Sequence, residues 1–244
     1  TLTADAAGAM TLDTSVDSAD LSTSAAGSIS VDETDAITLT DVDTSNGAIT
    51  ITAGGAITAT DVASSTDSDA NDITLTGVGI AVTKIDSGST AGDVVLDAGT
   101  GAITQDATDD KDDVTADSLT ADAATGIDLD TTVLSADLSV SGTGSIVLDE
   151  LNAITLTDLD TTDGSITVDA AGDVVSTDVD ASDAIAITAS SGDITLGGLT
   201  AGGVLGITAT TGSINDASDD ATTDLTAGGL ITLSAQDEVG GIPS

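Results

Sequence analysis

The chain of 244 residues contains no Phe, Trp, Tyr, Cys or His, and only one Pro and one Met. Without histidine, the usual general base of a nucleophilic triad is missing. Without histidine and cysteine, the ligands that zinc and other transition metals prefer are missing as well. We therefore predict that this chain is not an enzyme.

Basic residues are almost as scarce as aromatic ones. Lys84 and Lys111 stand against 43 acidic residues, which gives a formal net charge of -41. A phosphate backbone needs Lys and Arg partners, so nucleic acid is not an expected partner, and anionic membrane surfaces are equally disfavoured. No run is apolar and long enough to span a bilayer, so no membrane insertion is expected. We expect both lysines to be solvated and divalent cations to be the partners of this surface.

High net charge without aromatic residues can indicate disorder. Here Ile, Val and Leu are abundant and regularly placed, which favours a folded chain with a thin aliphatic core. The chain opens at Thr1 without a Met or a secretory signal, and we interpret it as a mature or excised segment.

A long repeat organises the sequence. The stretch "LTADAAGAMTLDTSVDSADLS" begins at Leu2, "LTADAATGIDLDTTVLSADLS" begins at Leu119, and "LTAGGLITLSA" begins a third copy at Leu225. We therefore divide the chain into a first repeat (1–118), a second (119–224) and the start of a third (225–244), which together form one continuous solenoid. Inserted loops are expected near 63–72 and near 105–118.

A shorter period of about twenty residues lies inside the long one. Twenty residues separate Ile29 from Ile49, Ile37 from Ile57, Ile146 from Ile166 and Ile194 from Ile214. Within each unit, apolar residues alternate with Thr, Ser or Asp, which is the period of a β-strand. Gly, Asn and Asp separate these bursts, as turns require.

A unit of twenty residues cannot bury its apolar face alone, but stacked units can. The sequence therefore predicts an all-β, single-chain parallel β-helix (β-solenoid) with about 20 residues per coil and about 12 coils. In the stretch from Ala36 to Thr52 we place strands at 36–40, 42–44 and 48–52. The inward residues are expected to be Ile37, Leu39, Val42, Ile49 and Ile51. A plain β-sandwich is the alternative, although it does not require a near-constant period.

Units such as "AITLTDVDTSNGAITI", which begins at Ala36, resemble the repeat regions of giant bacterial surface and secreted proteins, the filamentous-haemagglutinin-like adhesins. The resemblance is one of repeat style and covers nearly the whole chain. It implies a right-handed β-helix, an extracellular or cell-surface location, and a role as a stalk, an adhesin or a matrix fibre.

The acidic residues also recur at the twenty-residue period, so stacked coils would bring their carboxylates close together. The densest set is a square formed by Asp158, Asp160, Asp178 and Asp180, with Asp163 and Asp183 at the neighbouring turn. Oxygen-only ligands suit Ca²⁺, so these six residues are the candidate metal site. The alternative is a solvated acidic face that bulk salt screens.

Pairs of Thr flank single apolar residues at Thr38/Thr40, Thr50/Thr52, Thr58/Thr60, Thr74/Thr76 and Thr155/Thr157. Flat ladders of this form resemble ice-binding solenoids. The first hypothesis is a structural segment of an extracellular fibre, adhesin stalk or surface filament, either part of a longer array or joined end to end with other copies. The alternative is a ligand- or ice-binding adhesin module that uses the Thr-x-Thr faces.

Overall fold

Every regular element in the structure, a computed structural model that describes residues 1–105, 113–218 and 223–241, is a β-strand. All pairings given for these strands are parallel, and each unit of the chain is a β-solenoid with about 20 residues per turn. The all-β, parallel β-solenoid predicted from the sequence is therefore confirmed. The chain divides into two compact units, Thr1–Ala124 and Thr125–Ser244.

The described part of the first unit contains strands β1 to β14. They are Leu2–Ala6, Met10–Thr14, Ser18–Ala26, Ile29–Glu33, Ile37–Asn46, Ile49–Ala53, Ile57–Ala59, Val62–Ser64, Ile73–Thr76, Ile80–Val82, Ile85–Asp86, Val94–Asp97, Ile103–Gln105 and Val114–Ala123.

The described part of the second unit contains strands β15 to β28. They are Ile127–Thr143, Ile146–Glu150, Ile154–Asp163, Ile166–Ala170, Val174–Ser176, Asp178–Ala181, Ile185–Ala189, Ile194–Leu196, Gly198–Ala201, Leu205–Ala209, Ile214–Asp216, Leu225–Ala227, Ile231–Ala235 and Val239–Gly241.

Three ladders of stacked strands run through the first unit. The first ladder contains β2, β4, β6, β9, β12 and the second half of β14. The second contains the first half of β5, then β7, β10 and β13. The third contains β3, the second half of β5, β8, β11 and the first half of β14. One turn of the chain visits each ladder once.

The second unit repeats this plan. Its first ladder contains the start of β15, β16, β18, β21, β24 and β27. Its second contains the first half of β17, then β19, β22, β25 and β28. Its third contains part of β15, the second half of β17, β20, β23 and β26.

The predicted stacking of branched residues is confirmed. Ile37 pairs with Ile57 on the next coil, and Ile29 pairs with Ile49. The five residues predicted to point inward in this stretch are at most 2% exposed, while the residues between them are exposed or half-exposed apart from Thr44 and Gly47, which are buried. Burying each of these side chains contributes about 1.5–3 kcal/mol to folding.

Three details differ from the sequence prediction. The structure has about ten turns rather than twelve, because some steps exceed twenty residues, such as that from Leu205 to its partner Ile231. Strands 36–40 and 42–44 are one strand, β5.

The loop predicted at 105–118 is wrong for 114–118, which belongs to β14 and buries Val114 and Ala116. Residues 106–112 lie outside the described part. The loop predicted near 63–72 begins after β8, which ends at Ser64.

The corners after the third ladder are held by buried hydroxyl groups. Thr44 Oγ1 donates a hydrogen bond to the Gly47 carbonyl at 2.6 Å, and in the second unit Thr161 Oγ1 donates to the Gly164 carbonyl at 2.9 Å. Thr44 is 0% exposed and Thr161 is 6% exposed. A hydroxyl can replace an aliphatic group here because the turn offers it an acceptor.

Glycine is required at these corners by close approach between coils. A Cβ on Gly164 would collide with the Gly144 carbonyl of the preceding coil, whereas a Cβ on Gly206, in β24, meets nothing within 4 Å. Gly164→Ala should therefore destabilise the second unit by about 1–3 kcal/mol. Gly206→Ala should stabilise it by about 0.5–1 kcal/mol, because alanine has less backbone freedom to lose in a strand.

Urea unfolding of the two variants beside the parent chain measures both effects. Equal effects of the two substitutions would contradict the in-register stacking of the corners.

Candidate functional site

The predicted acidic square lies on the third ladder of the second unit. Leu159 of β17 stacks on Val179 of β20, and Asp160 pairs with Asp180 one position further along. All four aspartates of the square are exposed, as expected for residues that flank inward positions. The sequence therefore placed these four side chains on the outer surface of two neighbouring coils.

Two carboxylates of this square, those of Asp160 and Asp178, have raised pKa values. The pKa of Asp160 lies above its ordinary value, chiefly because of partial burial and then because of the charges on Asp158, Asp180, Asp178 and Asp137. The pKa of Asp178 is raised by burial and by Asp180 and Asp158. Burial and the neighbouring charges therefore disfavour the ionised forms of Asp160 and Asp178 unless a cation is nearby.

Asp137 is a member of this acidic surface that sequence reasoning missed. It lies in β15 and pairs with Asp158. The twenty-residue count does not find it, because the two residues are 21 positions apart and the pairing of β15 with β17 shifts its register at Asp137.

The two turn residues of the predicted metal site, Asp163 and Asp183, do not lie at the ladder positions that the square occupies. Asp163 is the last residue of β17 and pairs with Thr143, and the Asp183 N–H donates to the Gly164 carbonyl at 3.0 Å. Both belong to the corner that follows the square. Within the residues that the structure describes, no three acidic side chains come together in an arrangement that would hold a metal ion. Calcium binding stays a prediction.

The equivalent surface of the first unit already contains a cation. Lys84 Nζ lies 3.0 Å from Asp61 Oδ1, and the two side chains are 48% and 43% exposed. The hydrogen bond with Asp61 is the main reason that the pKa of Lys84 is raised; burial opposes this, and the charges of Asp61, Asp86 and Asp43 add to it. The prediction that Lys84 is solvated therefore missed an ion pair. Lys111 lies outside the described residues.

Glycine occupies the matching position in the second unit. Val62 pairs with Ile85 just after Lys84, whereas the equivalent Val179 pairs with Leu199 just after Gly198. Gly198 itself pairs with Asp178, and a Cβ built on it would lie 3.7 Å from Asp178 Oδ1. The two repeats thus share an acidic surface, but one of them has a lysine where the other has a glycine.

Asp149 is the centre of a second acidic column. It pairs with Asp130 of β15 on one side and with Asp169 of β18 on the other. Its pKa is raised by partial burial and by the charges on Asp130, Asp169 and Asp128. Three carboxylates therefore lie in a row along this ladder, at a place that the sequence prediction did not single out.

Other recurring aspartates accept hydrogen bonds from backbone N–H groups. Asp173 Oδ1 accepts a hydrogen bond from the Asp193 N–H at 2.8 Å, and Asp193 Oδ1 accepts one from the Ser213 N–H at 2.7 Å. Each carboxylate satisfies a corner N–H of the next coil, where the ladder does not supply an acceptor. The twenty-residue spacing of these two aspartates therefore has a structural cause.

Two buried glutamates were missed altogether. Glu33 is 1% exposed and Glu150 is 3% exposed. Glu33 Oε2 accepts from Thr14 Oγ1 at 2.7 Å and from the Val16 N–H at 3.0 Å. Glu150 Oε2 likewise accepts from Thr131 Oγ1 at 2.8 Å and from the Val133 N–H at 3.1 Å.

Burial alone would raise the pKa of Glu33, but its hydrogen bonds outweigh burial and lower it. A signal for these residues was present in the sequence. Glutamate occurs only at positions 33, 150 and 238, and the first two are equivalent in the long repeat.

Comparison with known proteins adds no relatives: no protein-family model, no curated protein and no solved structure matches this chain. No helix long and apolar enough to cross a bilayer occurs among the described residues. The resemblance to adhesin repeats therefore stays a prediction from the sequence.

The acidic surface of the first unit should make stability depend on pH. Partial burial, a hydrogen bond with Asp41 and the charges of Asp41 and Asp61 raise the pKa of Asp43 from 3.8 to about 6, against the opposing effect of Lys84. The folded chain thus holds a proton that the unfolded chain releases. This contribution is complete below about pH 4 and is lost as the pH rises through about 6. Solvent screening limits it to about 1 kcal/mol.

Thermal melts between these pH values, for the parent chain and for Asp43→Asn, measure the effect. The variant should show a flatter dependence of Tm on pH. Asp69→Asn, in an exposed loop, is the control and should follow the parent. A parent chain that becomes more stable from pH 5 to pH 7, without a difference from Asp43→Asn, would contradict the assignment.

Proposed function

We propose that this chain is a structural segment of an extracellular β-solenoid fibre or adhesin stalk with a strongly acidic surface. The observation that carries this proposal is the in-register stacking of aliphatic residues along three ladders in each unit. Such a core gives stiffness, because each inward side chain packs against its equivalents in the neighbouring coils. The extracellular location and the adhesin role rest on the resemblance of the repeats.

Backbone hydrogen bonds provide the mechanical strength of such a segment. Each coil is bonded to the next in all three ladders, for example by the Ile29 N–H to the Ala48 carbonyl and the Val42 N–H to the Asp61 carbonyl, both at 2.9 Å. A force along the ladders is shared among many parallel bonds, so no single bond has to carry it. This arrangement suits a stalk.

A stacked coil is the partner that the second unit fits best. Leu205 and Ile214, on which the last described coil stacks, are 1% exposed, whereas their equivalents in that coil, Ile231 and Val239, are 39% and 49% exposed. Another coil placed on this one, from a longer array or from a second copy, would bury both. End-to-end stacking is therefore the association that we propose.

The acidic surface is proposed to bind divalent cations. Lys84 supports this, because the first repeat places its own positive charge beside Asp61. The second repeat has Gly198 at that position, and the neighbouring groove is lined by Asp160, Asp180 and the hydroxyls of Ser139, Thr162 and Thr200. Oxygen-rich surroundings of this kind suit Ca²⁺.

A second candidate is binding through threonine faces. Thr50 pairs with Thr74 and Thr52 with Thr76 on the first ladder, which gives four outward threonines on two adjacent coils. The preceding coil has Ser30 and Asp32 at these positions, so the flat patch is small. Measurable thermal hysteresis at the ice surface would favour this candidate over the stalk.

Filament formation tests the first proposal. Electron microscopy of the chain at increasing concentration should show unbranched filaments whose width stays constant while their length grows. Ile231→Asp should shorten the filaments, because it places a charge on the surface that stacks. The exposed Leu151→Asp, which is outside that coil, is the control. Compact particles at every concentration would contradict end-to-end stacking.

Calcium titration tests the cation site. Millimolar Ca²⁺ should raise the Tm by about 2–4 °C, the shift that 1 kcal/mol gives in a chain of this size. Gly198→Lys should raise the Tm without calcium and remove most of the calcium effect, because its ammonium group would lie beside Asp178.

Gly206→Lys adds the same charge on the first ladder of the second unit and should leave the calcium effect intact. If calcium does not change the Tm of the parent chain, the acidic surface is only screened by bulk salt.

A further inference from the structure

Asn46 and Gly47 form an Asn-Gly sequence at the corner between β5 and β6. In such a pair the backbone nitrogen of glycine can attack the side-chain carbonyl carbon of asparagine, because no Cβ obstructs the approach. Asn46 is the last residue of its strand and is exposed to solvent. Among the described residues, the Gly47 N–H has no hydrogen-bond acceptor. The nucleophile is therefore not held by the ladder.

A second side chain is placed to assist this reaction. Asn71 Nδ2 donates a hydrogen bond to Asn46 Oδ1 at 3.0 Å and another to the Thr66 carbonyl at 2.7 Å. The Thr66 carbonyl fixes which end of Asn71 is the amide nitrogen, so the donor to Asn46 is defined by the network. Asn71 is 1% exposed and its own N–H is bonded to the Ser68 carbonyl at 2.9 Å.

The contact between these two side chains matters for the chemistry. Attack on the amide carbon moves negative charge onto Asn46 Oδ1, the atom that Asn71 Nδ2 contacts. A donor already aimed at an oxygen that gains charge lowers the barrier. We propose that Asn46 is a site of spontaneous deamidation and that Asn71 is its positioning residue.

The reaction balances with water as the only co-reactant. The Gly47 nitrogen bonds to the Asn46 side-chain carbon, its proton leaves with the amide nitrogen as ammonia, and a succinimide forms. Water then opens the ring to give aspartate or isoaspartate. The repeat shows that aspartate is tolerated here, since Asp163 and Gly164 occupy the equivalent positions in the second unit. The product adds one negative charge to a corner of the first unit.

Peptide mapping of the intact chain during incubation at mildly alkaline pH tests the proposal. The chain has its own controls in Asn71, Asn152 and Asn215, which are followed by Asp or Ala. Asn46 should convert at least about tenfold faster than any of them, since only it combines a glycine with an aimed donor. Comparable rates at all four asparagines would overturn the proposal.

Two variants separate the role of Asn71 from the reactivity of the Asn-Gly sequence itself. Asn71→Ala and Asn71→Asp both remove the donor, and the second keeps the shape of the side chain. In whichever variant circular dichroism shows to be folded, conversion of Asn46 should slow by about tenfold, while the urea-unfolded chains should react at equal rates. An unchanged rate in a folded variant would rule out the positioning role.

Discussion

Registration of branched aliphatic side chains between successive parallel strands is the constraint on which the rest of this structure depends. Stacked strands lie about 4.8 Å apart, so each inward side chain meets its equivalents directly above and below. A residue that is too large must therefore be accommodated in every neighbouring coil. Ile29 on Ile49 and Ile37 on Ile57 satisfy this requirement with identical shapes. The same requirement explains why the chain contains no ring, since one bulky coil would separate its neighbours on both sides.

The acidic residues that give the net charge of -41 have several different roles in the structure. Glu33 and Glu150 are buried acceptors that join one coil to the corner of another. Asp173 and Asp193 accept hydrogen bonds from backbone N–H groups of the next coil. Asp160 and Asp149 lie among other carboxylates, and partial burial together with those charges raises their pKa values. Counting acidic residues alone would overstate the surface that can bind cations.

The sequence was sufficient to predict the fold because the period and the alternation carry separate information. Alternating polar and apolar residues usually indicate an antiparallel sheet with one wet face. The constant twenty-residue step, seen in Ile37 and Ile57, instead requires equivalent segments to stack in parallel. The period could not predict the features that arise where successive coils differ in length. Lys84 reaches Asp61 across a step of 23 residues, and β14 begins inside an acidic stretch where only Val114 and Ala116 indicate an interior. Buried Thr44 and Glu33 were missed because their acceptors and donors come from turns, whose positions alternation does not describe.

The internal repeat separates what this fold needs from what it only tolerates. Several buried polar positions keep the same chemistry in both repeats: Glu33 corresponds to Glu150, and Thr44 corresponds to Thr161. Outward positions differ, since Lys84 lies where the second unit has Gly198 and Asn46 lies where it has Asp163. Each member of these outward pairs is compatible with the same ladders, so folding does not select between them. The charge pattern of the surface can therefore change without cost to the core, and a function that depends on that pattern is independent of the stacking that holds the coils together.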